Sequence, residues 1–566
     1  MTRLRRLALV LVTGMLLLTA CSGLPTSGPV SVGLELGDTP DDPYFTQVAD
    51  GPVKGASPEA IVAGFLDAAV TPTDNWQVAR RFLTPKFAPD WKPNEGVTID
   101  SSAADRTISS DVTGDDEDAT SAAVEVRLET VVANVDATGA YAPATGSTQP
   151  ATFRLSREKG GEWRIAEAPD GIVLDRVIFP RVYNPYSLQF FDPAWTHVVP
   201  DVRWFPRRGT IATTLTQAVI DGAPSPWLAD GVRSAFTGEV GLAVSAVLVD
   251  PAQVADVALT RPALVLDATR LARMRTQLEE TLKPLGITEV RLTVDGRSLD
   301  AGRVTLDQVV PEPGTLVLTE KGFGIGEQLT PVGQITAQLA KIPEPITAID
   351  VAADDSQAAV QLGSGDVHLV SAGANDQLDG RSGLIAPSLD PFGYVWTVPR
   401  DQPGALMAIG ADVVEHPIAH AWQDASGISQ LRVSPDGARV AAVITSGGAR
   451  KVVVAAVVRD DKGVPTQLGE PQQLSRLPAA AQGLGWLGGD SLVILDDAND
   501  PILITQQIGG PASQKPAPAG SASLSGARSA PGVRVLTSTG VVFAQRGSTW
   551  QEAVEGVLVL GTRAGQ

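Results

Sequence analysis

Apolar and polar positions follow several different patterns along the chain. A largely apolar run, Leu7 to Leu18, follows Arg3, Arg5 and Arg6. It has the length of a secretory signal core and falls short of the ~20 residues that span a bilayer. From 22 to 56 no period survives, and Gly, Pro, Ser, Thr and Asp dominate, which predicts a tether. Flexible chain of that length spans roughly 30 Å. Helical periodicity begins at "SPEAIVAGFLDAAV", 57 to 70, with Ser57 as N-cap, Pro58 at the first turn and Ile61, Phe65, Leu66 and Ala69 on one face. A second helix is predicted over 74–83, with Trp76, Val78 and Phe82 inward. Strand alternation follows at 122–136 and 151–169, the latter as a hairpin about Lys159, Gly160 and Gly161.

Residues 183–312 read as a second unit. "SLQFFD", "HVVPDVRWFP", "VSAVLVDPAQVADVALT" and "ALVLDAT" predict strands. "TIATTLTQAVIDGAPS" predicts a helix closed near Gly222. "ATRLARMRTQLEETLKPLG" predicts an amphipathic helix with Leu271, Met274, Leu278 and Leu282 on one face, and "ITEVRLTVDG" a further strand. From 313 to 566 long helices vanish. An apolar strand, a tight turn and a second apolar strand recur at 347–362, 386–398, 429–444, 482–496 and 525–539. The third unit carries Ser434, Pro435, Asp436 and Gly437, a turn that needs φ > 0 at the glycine. Repetition at this spacing predicts a propeller of about five to six blades, the sixth closed by strands before 346 and after 555.

Composition adds the compartment. The 566 residues hold one cysteine, Cys21, and carry a net charge of −20. An acidic chain without a basic cluster is a poor match to nucleic acid or to an anionic bilayer surface. Disulfides cannot stabilise it. Leu18, Thr19, Ala20 and Cys21 end the apolar run and resemble the bacterial lipobox, L-x-[AGS]-C. The resemblance implies cleavage between Ala20 and Cys21 and acylation of the Cys21 thiol. Residues 1–20 are then a signal peptide and 21–56 a lipidated tether. The implied location is the extracytoplasmic face of the cell membrane, and the implied non-protein group is the covalent lipid alone.

The chemistry-bearing residues are sparse. The histidines are His197, His368, His416 and His420; Pro417 breaks any helix joining the last two, so packing or surface roles are expected rather than zinc. "GFGIGEQ", 322–328, lacks the spacing and following helix of a phosphate loop. Asp111, Asp115, Asp116, Glu117 and Asp118, and likewise Asp496, Asp497, Asn499 and Asp500, do not match a calcium loop and read as solvated. Trp396, Trp422 and Trp486 read as blade cores before sugar platforms. No catalytic residue and no metal site is predicted, and the expected class is non-enzymatic.

The order of these units is more specific than any one of them. The 57–182 module, with its late Gly161, Trp163, Arg164 and Ile165, resembles the NTF2-like cone. The 183–312 module resembles the GerMN domain through "AVIDGAPS" and "EVRLTVDG". Lipobox, tether, α+β NTF2-like module, GerMN-like module and all-β propeller (313–566) together resemble the LpqB family of actinobacterial lipoproteins. That resemblance implies an accessory to envelope and cell-division signalling. Its implied partners are the membrane, through the lipid, and the extracytoplasmic domain of a sensor histidine kinase of an MtrAB-like two-component system. A cell-wall glycan or small-ligand binder is the alternative expectation. A propeller glycan hydrolase is the third, and it would need two facing carboxylates.

Overall fold

The computed structural model describes residues 49–112, 118–144, 146, 148–158, 161–307, 314–497, 500–547 and 549–564. Ser57 opens helix α1 (Pro58–Ala68): its Oγ accepts from the Ala60 amide at 3.3 Å, and Pro58 fills a first-turn position that needs no N–H. Ile61, Phe65 and Leu66 are buried. The helix expected over 74–83 shrinks to one turn, Gln77–Arg80. Asp74, Asn75 and Trp76 instead take left-handed backbone angles, φ 49°, 54° and 56°. Burial explains this. The Trp76 indole is wholly enclosed, and its Nε1 donates to Ala69 O at 3.0 Å, a seat that a continuous helix would not reach.

Two four-stranded sheets surround this core, where the alternation alone predicts one curved antiparallel sheet. One orders Tyr141–Pro143, Val131–Asp136, Gly96–Asp100 and Ile172–Asp175, its last pair parallel. The other orders Thr107–Ser110, Ser121–Leu128, Gln149–Ser156 and Arg164–Glu167. Its final hairpin sets Leu155 opposite Ile165 and Ser156 opposite Arg164; Lys159 and Gly160 of the expected turn lie outside the described residues.

A long antiparallel hairpin, Tyr183–Phe191 with Val198–Pro206, starts the next layer. Helix α2 (Ile211–Asp221) and helix α3 (Ala268–Leu282) follow. Strands Val254–Ala258 and Glu289–Val294 pair in parallel with α3 as their crossover, a βαβ unit. Asp267 caps α3 through Oδ1, accepting from the Arg270 amide at 2.9 Å, and Leu271, Met274, Leu278 and Leu282 are buried. "ALVLDAT" is not a strand. Arg261–Val265 forms a 3₁₀ turn with Val265 86% exposed. Pro262 cannot donate to a ladder, and Val254–Ala258 already has partners on both sides.

Among the described residues, 314–564 form six small sheets in chain order. The first joins Leu316–Thr319 and Gly322–Ile325 to Val557–Leu560 from the other end of the segment. The second adds Thr562–Arg563 in parallel to Ile346–Val351. Gly437, at φ 66°, turns between Gly427–Val433 and Arg439–Ser446; a Cβ there would collide with the Phe392 ring.

The described residues fall within one compact unit, and the 183–206 hairpin is the reason. Trp204 packs its ring 4.7 Å from Phe179 and donates its backbone N–H to Gly139 O at 2.7 Å, both in the first module. Its Nε1 donates to Gly509 O at 2.8 Å in the C-terminal sheets. Arg203 reaches the first module too, donating to Thr138 Oγ1 at 2.6 Å while Asp201 holds it at 2.8 Å. His197 meets Phe392 edge-on, centroids 5.9 Å apart. Gly231 lies so close to strand Ala449–Arg459 that a Cβ would stand 2.9 Å from Ala456 Cβ. Gly231→Ala is therefore expected to destabilise this junction by about 1–3 kcal/mol, the usual cost of overpacking. Hydrogen exchange should quicken at the Val457 amide, which donates to Ala438 O; unchanged exchange there contradicts a tight junction.

Candidate functional site

Cys21 and Ala20 lie outside the described residues, as do Asp115, Asp116, Glu117 and Asn499. The other expected residues can be placed. Trp396, Trp422 and Trp486 are 1%, 2% and 0% exposed, so none presents a face to a sugar. His368 pairs with Asn375 Oδ1 at 3.0 Å, His416 stands edge-on to Tyr394 and His420 contacts Gln423. No group of three or more His, Cys, Asp or Glu side chains is arranged to hold a metal ion among the described residues. Asp111 accepts from the Ala123 amide at 2.7 Å. Asp496 is buried rather than solvated and accepts from the Ile502 amide at 2.9 Å, which corrects the expectation of an open acidic loop there.

The acids of the C-terminal sheets are largely consumed internally. Asp390 Oδ2 accepts from Arg459 Nη2 at 2.7 Å and Trp396 Nε1 at 3.0 Å; its Oδ1 accepts from the Phe392 and Tyr394 amides. Asp379 accepts from Arg381 and Thr397, and Asp436 from Arg439 and Ser434. For Asp379, burial pushes the carboxyl up, but the Arg381 and Thr397 bonds outweigh it and hold it below the usual carboxylate range. Asp350 is enclosed, and burial raises it despite Arg432 and Arg563 nearby. Asp350 Oδ1 accepts from Thr562 Oγ1 at 2.8 Å and Oδ2 from the Leu389 amide at 2.7 Å, tying three stretches distant in sequence to one carboxylate.

The open clefts among the described residues include two beside helices α1 and α3. One, of about 570 Å³, runs beside α1 and is lined by Asp50, Val53, Gly64, Asp67, Phe82 and Ile178 among others. The second, of about 410 Å³, lies in the middle layer between the 192–197 turn, residues 234–237 and the first turns of α3. Its wall is fixed from behind. Asp192, 1% exposed, accepts from the amides of Ala194, Thr196 and His197. Buried Gln277 accepts through Oε1 from the Ala235 amide at 2.9 Å. The sequence reading passed over Trp195, Arg270 and Arg273. The only signal was an aromatic in a turn and two arginines on the α3 surface, which helical periodicity assigns to solvent.

Comparison with known proteins agrees with this order of modules. Residues 51–180 match the family model "Lipoprotein LpqB, N-terminal domain", 187–300 match "Sporulation and spore germination" and 325–559 match "Lipoprotein LpqB beta-propeller domain". Among curated relatives, the Lipoprotein LpqB of Streptomyces coelicolor is 27% identical, covering 88% of this chain and 86% of its own. That of Thermobifida fusca is 27% identical over 95% of this chain and 96% of its own. That of Rhodococcus opacus is 28% identical over 85% and 83%. A multidomain, mostly β chain whose segments match both LpqB models, and which aligns with these lipoproteins across most of their length, belongs to the LpqB family.

Proposed function

We propose that this protein is a lipid-anchored extracytoplasmic accessory that binds the external sensor domain of a histidine kinase and modulates its signalling, without catalysis of its own. The observation that carries the reading is the junction built on Trp204, which holds the three modules as one body. Modules packed against one another in this way present a broad surface at a low ordering cost on binding. The engagement of Asp379, Asp390 and Asp436 with arginines supports an interaction role over hydrolysis by paired carboxylates. The six sheets are read as six propeller blades, with Leu316–Thr319 and Val557–Leu560 closing the ring. The first module is read as an NTF2-like cone. The lipid on Cys21 confines the protein to the kinase's own membrane, where effective concentration is high. A contact of ~8 kcal/mol, micromolar in solution, then suffices.

The test is calorimetric titration of the protein against the purified sensor domain of the kinase from the same cells. Regulator phosphorylation is followed in parallel in cells that lack the protein. Saturable binding with altered phosphorylation is the expected result. No heat at hundreds of micromolar, ~5 kcal/mol or weaker, with unchanged phosphorylation rejects the proposal and favours a cell-wall ligand.

A further inference from the structure

The middle-layer cleft combines three features that the fold alone does not require. First, Trp195 holds a left-handed backbone, φ 65°, which costs a bulky residue free energy unless its surroundings impose it. Those surroundings are the Asp192 turn and Phe191, whose ring lies 5.0 Å from the Trp195 ring. Second, Arg273 lays its guanidinium over that ring at 3.8 Å. Stacking fixes the plane of the guanidinium while leaving its N–H edge unused. Arg273 makes no hydrogen bond or ion pair with any described residue. Third, the neighbouring charges are already matched. Arg270 faces Glu239 at 3.6 Å and donates to Thr237, and Asp267 is turned to the Arg270 amide. Arg273 is the charge left over in a cleft that also offers Ser234 and Thr269.

We infer that this cleft is a binding site for a small monocarboxylate, with Arg273 as its anchor. A guanidinium edge matches one carboxylate with two parallel N–H···O bonds. Arg273 is the guanidinium of the cleft without a bonded carboxylate, and the negative charges of Asp267 and Glu239 favour a monoanion over a phosphate dianion. The volume of about 410 Å³ lies within the ~300–1,000 Å³ of small-molecule sites and admits a body of monosaccharide or dipeptide size. The Thr269 hydroxyl supplies a polar partner for that body, while Ser234 Oγ already accepts from the Phe236 amide and meets the Gln277 side chain. The inference is independent of kinase binding.

The carboxylate could sit on a sugar or at a peptide terminus, so two probes are used with the full-length protein in detergent: N-acetylmuramate and N-acetyl-D-alanyl-D-alanine. Binding is read by calorimetry and repeated with the methyl ester of each. At least one free acid should bind, its ester should bind about tenfold or more weaker, and Arg273→Gln should weaken the acid by a similar factor. Arg273→Lys, which keeps charge but not the fork, should fall between. Which acid binds identifies the source. Arg291→Gln, a change on an exposed arginine paired with Asp256, should bind as the unaltered protein does. Neither acid binding at about 10 mM, or acid and ester binding equally, overturns the inference. So does an Arg273→Gln protein that binds like the original. Because the acid–ester comparison needs no variant, the inference stays testable if Arg273→Gln folds poorly.

Discussion

Asp390→Ala is expected to cost about 3–5 kcal/mol, the loss that follows when one partner of a buried ion pair is removed. The side chains of Asp390 and Arg459 are 0% and 3% exposed, so water cannot replace the lost carboxylate. Arg459 would keep only the carbonyls of Gly437 and Gly463 as acceptors, and its Nε has none at the start. The Phe392 and Tyr394 amides and the Trp396 indole N–H lose their acceptor as well. Chemical denaturation followed by hydrogen exchange in strand Val395–Thr397 checks the loss. The double change Asp390→Ala with Arg459→Met should recover part of it, because no charge is left stranded. A single variant within about 0.5 kcal/mol of the original, the range of ordinary surface changes, would show that the pair is not closed to solvent.

Cys21→Ala is expected to abolish acylation and to release or mislocalise the protein. No helix among the described residues is long and apolar enough to cross a bilayer. Each buried methylene of an acyl chain contributes ~0.8 kcal/mol, and stable attachment takes more than one chain. Fractionation with a fatty-acid label is the measurement. A Cys21→Ala protein that still carries label refutes the lipobox reading. Tethering also sets how signalling responds. If confinement raises effective concentration as proposed, Cys21→Ala should impair regulator phosphorylation more than any single surface substitution.

Much was legible in the sequence by itself because local physics decides it. The cap at Ser57, the stripe from Leu271 to Leu282 and the glycine turn at 437 are each set within a few residues. So is the recurrence of short strands. What the tertiary structure alone decided depends on partners far apart in the chain. Trp76 ended its own predicted helix because a distant core needed the indole. Arg261–Val265 lost its predicted strand because the sheet had no free edge for it. Trp204 joined the middle hairpin to the C-terminal sheets through a carbonyl 305 residues away. The cleft at Arg273 arose in the same manner. Periodicity places that arginine on the outer face of a helix, and only the turn carrying Trp195, folded back from another element, gives it a ring to lie on and a cavity to point a charge into.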